Sequence, residues 1–269
     1  MKKVTKPYYL VVLLLITACA QKPVSPVGNP QAVVNPFFPH NKNATSQSVP
    51  SWLASPPSFL HGVGVHSHSE FGSESSFMSS FDNAIEDLNS NSWVVVTVES
   101  FSENNGSIRF FEELAIRDEF TGSNTVKLDS VVIDGYAYTL VAPADVSPDK
   151  YASTTSTLSF NETTFPNDVQ MRPRKSGSTW YAGAGNRVIT SNLYKSWAMS
   201  KQNALKELAR HISLQVQTST NVLNDQAGSV TYTKTRVVFE DVRVTQRWTD
   251  GEDFYNIVGV GVTKATSLN

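Results

Sequence analysis

The stretch Asn83-Ala84-Ile85-Glu86-Asp87-Leu88 returns downstream as Asn203-Ala204-Leu205-Lys206-Glu207-Leu208. Around the first, Phe77, Phe81, Ala84, Ile85 and Leu88 fall at i, i+4, i+7, i+8 and i+11. Around the second stand Trp197, Ala204, Leu205, Leu208 and then Ile212, with Lys201 where Phe81 would fall. Such spacing gathers apolar side chains on one face of an α-helix. Ser73 precedes the first helix, and Ser191 or Asn192 the second. Their side-chain oxygens suit N-caps, accepting from amides that the first turn leaves open. A helix that recurs with its wording intact signals an internal repeat.

The flanks repeat as well. Phe59-Leu60-His61-Gly62-Val63-Gly64 resembles Thr179-Trp180-Tyr181-Ala182-Gly183-Ala184-Gly185. After the first helix, Trp93-Val94-Val95-Val96-Thr97-Val98 is nearly all β-branched, which suits a pleated surface. After the second, Ile212-Ser213-Leu214-Gln215-Val216-Gln217 alternates strictly and predicts a half-buried strand. Each copy closes on an Asp-Gly hairpin signal. The first is Val131-Val132-Ile133-Asp134-Gly135-Tyr136-Ala137-Tyr138; the second is Arg247-Trp248-Thr249-Asp250-Gly251 before Tyr255-Asn256-Ile257-Val258, with Glu252 and Asp253 lengthening its turn. Phe110 to Ile116 is open between short helix and strand, whereas Thr231 to Val238 leans to strand. The expected fold is α+β: two tandem modules, each one amphipathic helix packed on a small antiparallel sheet. They cover residues 51–142 and 178–269, joined by a Pro-, Ser- and Thr-rich linker at 143–177.

Ahead of the modules, Lys2, Lys3 and Lys6 precede an apolar run from Tyr8 to Ile16, and Ile16-Thr17-Ala18-Cys19 follows. Basic, apolar and small residues in that order form a secretory signal, here residues 1–18, abutting the chain's one cysteine. A bacterial lipoprotein carries a diacylglyceryl group and further acyl chains such as palmitate on such a cysteine. The run is shorter than the roughly 20 residues that span a bilayer. Ala20, where Asp would retain a Gram-negative lipoprotein at the inner membrane, points to the outer one. Residues 19–50, rich in Pro, Asn, Ser and Gln, read as a flexible tether, interrupted by Phe37 and Phe38.

Bulk properties narrow the function classes. A formal net charge of −2 lacks the basic excess of a nucleic-acid binder. With Cys19 acylated, no thiol remains for a disulfide or a thiolate metal site. Gly62-Val63-Gly64 and Gly183-Ala184-Gly185 lack the third glycine of a dinucleotide fingerprint, since Ser67 and Val188 stand there, and no Gly-Lys-Ser/Thr makes a P-loop. They fit better as strand glycines over which a helix packs closely. His61, His66 and His68 with Glu70 make up the histidine cluster; Tyr181, Asn186 and Val188 occupy the second copy, so the repeat does not need a metal there. Gly72-Ser73-Glu74-Ser75-Ser76 lacks the closing glycine of a nucleophile elbow. Glu112 and Glu113 are adjacent, and Glu86 and Asp87 are placed on a helix's polar side, so no carboxylate pair emerges. Trp180, Tyr181, Trp197 and Trp248 suggest a ligand platform, but Trp197 on a buried helix face and Trp248 in a strand are more simply core.

These residues together resemble the LPP20-type bacterial lipoprotein family. Trp180-Tyr181-Ala182-Gly183-Ala184-Gly185 and Ala204-Leu205-Lys206-Glu207-Leu208-Ala209 carry the resemblance, which is best over Trp180 to Val262 and more divergent over Trp52 to Val141. The resemblance implies a small helix-on-sheet fold, no catalytic residues, and company with outer-membrane lipoproteins and FlgP-like flagellar ring proteins. A tandem duplication departs from the family's single module. The expected function is that of a non-enzymatic lipoprotein of the cell outer membrane, without cofactor, held by lipid at Cys19. It would present its modules in the periplasm or at the surface for self-assembly or for another envelope protein, in the flagellar apparatus if the resemblance extends so far. The alternative is a lipoprotein that binds glycan, peptidoglycan or a small molecule in a cleft between modules.

Overall fold

The computed structural model describes residues 46–54, 56–102, 108–147, 155–159, 171–187, 192–221, 231–249 and 253–267. Cys19, the signal segment, and Phe37 and Phe38 lie outside them. Two long helices organise these residues: α2 (Ser73–Ser92) and α3 (Leu193–Asn221), after a single turn α1 (Ser51–Ala54). The strands are β1 (Ser46–Pro50), β2 (Gly62–Ser67), β3 (Trp93–Ser102), β4 (Ile108–Ile116), β5 (Thr125–Ile133) and β6 (Tyr136–Pro143). They continue as β7 (Thr155–Ser159), β8 (Arg174–Ser176), β9 (Thr179–Arg187), β10 (Thr231–Thr249) and β11 (Asp253–Ser267). Helices and antiparallel sheets occupy separate layers, so the class is α+β.

One sheet has the order β2-β6-β5. Its hairpin turns at Asp134 and Gly135, both at positive φ, as a two-residue turn in the natural twist of a hairpin requires. Helix α2 lies on one face. There Gly62 and Gly64 leave room for it: a Cβ on either would overlap the carbonyl oxygen of Ala84 or Ser80. The other face carries Val63, Val65, Tyr138 and Leu140, packed with Trp52 and Leu53 of α1 and Leu193, Tyr194 and Trp197 of α3.

A larger sheet has the order β4-β3-β10-β11-β9-β8. Later turns of α3 cover it, with Ala204, Leu205, Leu208, Ala209 and Ile212 meeting Val94, Val96, Val98, Val237 and Phe239. Helix α3 thus begins in one core and ends in another.

The repeat read in the sequence has structural counterparts. Asn83 donates from Nδ2 to the Val65 carbonyl and Asn203 to that of Gly185, each across 18 residues. Gly62 is paired with Val141 and Gly64 with Thr139; correspondingly, Ala182 is paired with Val258 and Ala184 with Asn256. The sheets, however, do not part at residues 143–177. Strand β3 pairs with β10 from Trp93↔Glu240 to Ser102↔Thr231, so β3 and β4 extend the sheet that holds β9 to β11.

Several local expectations change. Ile212 to Gln217 is not a strand but the continuation of α3. Ile212 also falls four residues after Leu208, and Ser213, fully buried, meets Thr235 Oγ1 at 3.0 Å, so the helical face persists. Phe110 to Ile116 is strand β4. Ser73 is the first helical residue, with Gly72 at the cap and no side-chain cap bond; Ser75 and Ser76 donate to the Gly72 carbonyl instead. Asn192 caps as expected, its Oδ1 accepting from the Lys195 amide at 2.9 Å. The stretches read as tether and linker contribute β1 and β7, which pair from Ser46↔Ser159 to Pro50↔Thr155. Val49 supplies the reason, being buried in the core beside Trp52.

Candidate functional site

Lys201 breaks the apolar stripe of α3, yet it is 3% exposed. A buried ammonium is tolerable only where it is paired and its donors are satisfied. Nζ lies 2.5 Å from Asp87 Oδ1 and 2.9 Å from Asn91 Oδ1, and it also donates to Ser90 Oγ. All three acceptors are side chains on the last turns of α2. The expectation that Asp87 sits on the polar side of its helix is corrected: it is 4% exposed, on the side that meets α3's lysine. Its other oxygen accepts from the Val63 amide at 2.9 Å and from Asn91 Nδ2 at 3.3 Å. Asn91 Nδ2 further donates to the His61 carbonyl at 2.8 Å.

One carboxylate therefore joins a helix, a strand amide and a second helix. Where the end of α2 meets α3, these side chains satisfy one another. A carboxylate so engaged and withdrawn from water ties parts of the fold together.

The side chains of the other residues weighed and set aside in the sequence as candidates for chemistry lie apart from this cluster. His61 is buried, with Nδ1 2.9 Å from the Phe59 carbonyl, while exposed His66 sits 2.9 Å from the Ser67 carbonyl. His68 packs against Phe77 with ring centres 5.8 Å apart. Among the described residues, no three of His, Cys, Asp and Glu gather as a metal site. Ser73 lies exposed at the start of α2. Trp197 is buried against Tyr138, at 6.0 Å between ring centres, as its place on the helix face implied. Trp180 meets His211 edge-on at 5.8 Å and packs on the core of the larger sheet, whereas Trp197 belongs to the other core, so these two do not share a platform.

The sheet margins are the other feature on which function can rest. Strand β2 has its outward backbone met by α2 side chains, Asp87 to the Val63 amide and Asn83 to the Val65 carbonyl. Strand β5 is interrupted by a register shift between Lys127 and Asp129. Strand β8 is three residues long and carries Arg174 and Lys175. Short length, bulges and cations all discourage an edge from pairing with another chain.

Strand β4 is different. It runs nine residues with an unbroken register against β3. Phe110, Leu114 and Ile116 face the core, and Arg210 of α3 forms an ion pair with Glu112 that raises the guanidinium's already high pKa. Phe111, 60% exposed, points to the opposite face, where Phe101 stands 5.8 Å from it and Tyr232 4.9 Å from Phe101. Beside them Lys234 donates to Glu99 at 2.7 Å, and that bond holds the Glu99 carboxyl below its ordinary pKa. No helix of the described residues is long and apolar enough to cross a membrane.

Comparison of the chain with models of known families, with curated proteins and with solved structures gives no match.

Proposed function

We propose that the chain is a lipoprotein of the outer membrane, acylated at Cys19, whose body is a non-enzymatic assembly component of the cell envelope. The observation that carries the assembly reading is β4, a nine-residue unbulged edge with an exposed phenylalanine, where β2 is covered, β5 is shifted and β8 is short. The body is read as two copies of one strand–helix–hairpin unit, in which β3 and β4 of the first copy extend the sheet of the second. The anchor rests on Lys2 to Ala20 in the order of a lipoprotein signal, with LPP20-type lipoproteins and their flagellar relatives as the resembling group.

The deciding experiment labels cells with palmitate and fractionates the envelope. Wild-type protein should carry label and sediment with the outer membrane, and Cys19→Ser should lose both. A Cys19→Ser protein that keeps its place in the outer membrane would refute the anchor.

A further inference from the structure

We infer that β4 pairs with β4 of a second copy of this chain, antiparallel and centred on Phe111. The inference rests on the assembly reading above and names its partner.

A closed pair of identical strands needs a twofold axis perpendicular to the sheet, so a residue can face only a residue of the same face. On β4 the outward row is Arg109, Phe111, Glu113 and Ala115, and the inward row is Ile108, Phe110, Glu112, Leu114 and Ile116. Centring on Phe111 sets Phe111 against its own copy, with Arg109 against Glu113 on both sides. The same register sets Ile108, 43% exposed, against Leu114. It is the one same-face register within β4 that opposes arginine to glutamate. Centring on Glu112 or Glu113 would oppose like charges, which destabilises a cross-strand pair. Centring on Phe110 would set Arg109 against Phe111 and forgo both arginine–glutamate pairs, whereas centring on Phe111 keeps them while setting Phe110 against Glu112, whose carboxylate is held by Arg210.

The strand is also held ready. Glu112 is tied to Arg210, and the segment after β4 is clamped by Asn89, whose Oδ1 accepts from the Glu119 and Phe120 amides at 3.0 and 2.7 Å. An edge fixed before the encounter loses little freedom on pairing. Two chains tethered in one membrane meet at high effective concentration, so a nine-residue edge suffices where it would be weak in dilute solution.

The test uses the full lipidated chain in native membranes, with mild oxidation and one introduced cysteine. Phe111 is exposed, so Phe111→Cys spares the core. Phe111→Cys should trap a species of twice the chain mass. Glu113→Cys alone should not, since its copy would lie roughly 13 Å away along the strand, beyond disulfide reach. Chains carrying Arg109→Cys and Glu113→Cys, expressed together, should link to each other. Arg109→Glu should reduce the Phe111→Cys crosslink about tenfold by making both flanking pairs repulsive. Adding Glu113→Arg in the same chain should restore it, which excludes misfolding as the cause.

A Phe111→Cys protein that sits in the outer membrane but remains single, or links to a protein of another mass, overturns the pairing and leaves the anchor intact. Equal trapping of Glu113→Cys overturns the register. Wild-type chains that themselves link through Cys19 contradict its acylation, and with it the underlying reading.

Discussion

Lys201 Nζ stands 2.5 Å from Asp87 Oδ1, an ion pair between α3 and α2 with both side chains withdrawn from water. Replacing one partner leaves the other charge buried without its counterion, which costs about 3–5 kcal/mol. Lys201→Met should therefore lower unfolding free energy by about that amount. Asp87→Leu should cost at least as much, because it also strips the Val63 amide of its acceptor. The double variant should be more stable than the sum of the two losses implies, as coupled sites are. Urea unfolding of the four proteins checks this; strict additivity would show that the pair does not couple the helices.

Gly64 is where α2 comes closest to β2. Gly64→Ala would drive a methyl into the Ser80 carbonyl, which belongs to a helix backbone and cannot swing aside. The loss should be about 3 kcal/mol, the upper end for overpacking. Gly135→Ala, with open space around it but a φ of 74°, should cost less. Thermal melts of both variants decide the order.

Asn83 and Asn203 perform the same bond in the two halves, at 2.8 and 3.2 Å. Each alanine substitution should cost about 1 kcal/mol. Losses that differ severalfold would indicate that the two helices do not play equivalent parts.

Tyr138 is buried, and burial pushes its hydroxyl well above the ordinary tyrosine pKa, with Tyr136 and Asp134 adding to the effect. The folded state thus holds this proton more tightly than the unfolded chain, whose tyrosine titrates near 10.0. That stability is fully present below this pH and is lost as pH rises beyond it. Unfolding midpoints should fall from about pH 10 upward, and Tyr138→Phe should flatten that fall. An unchanged alkaline profile in the variant would assign the loss to other groups.

Much of this fold is legible in the residues. The apolar stripes placed both helices, Asp134-Gly135 placed a hairpin, and Gly62 and Gly64 announced a close helix. The strand reading of Ile212 to Gln217 failed because strict alternation over six residues does not exclude a helical face that already includes Leu208 and Ile212. The destination of β3 was hidden for another reason. Val94 to Val98 is β-branched throughout, so it fits the middle of any sheet and does not say which neighbours flank it. Lys201 stood out as a break in its stripe, but its partners come from residues over a hundred positions away. Only the fold brings a lysine and an aspartate of different helices together.

The pairing of β3 with β10 also fixes an order of events. Lys234 reaches Glu99 across 135 residues, and Thr233 reaches Ser100 across 133. A chain made from its N-terminus presents the valine row of β3 long before the strand that will lie beside it exists. The first half must therefore wait, with an unfinished sheet, until nearly the whole polypeptide has emerged. Contacts so distant in sequence slow folding and lengthen the exposure of unpaired strands. A chain that stops short of β10 is left with an exposed valine row, a natural substrate for chaperones and proteases.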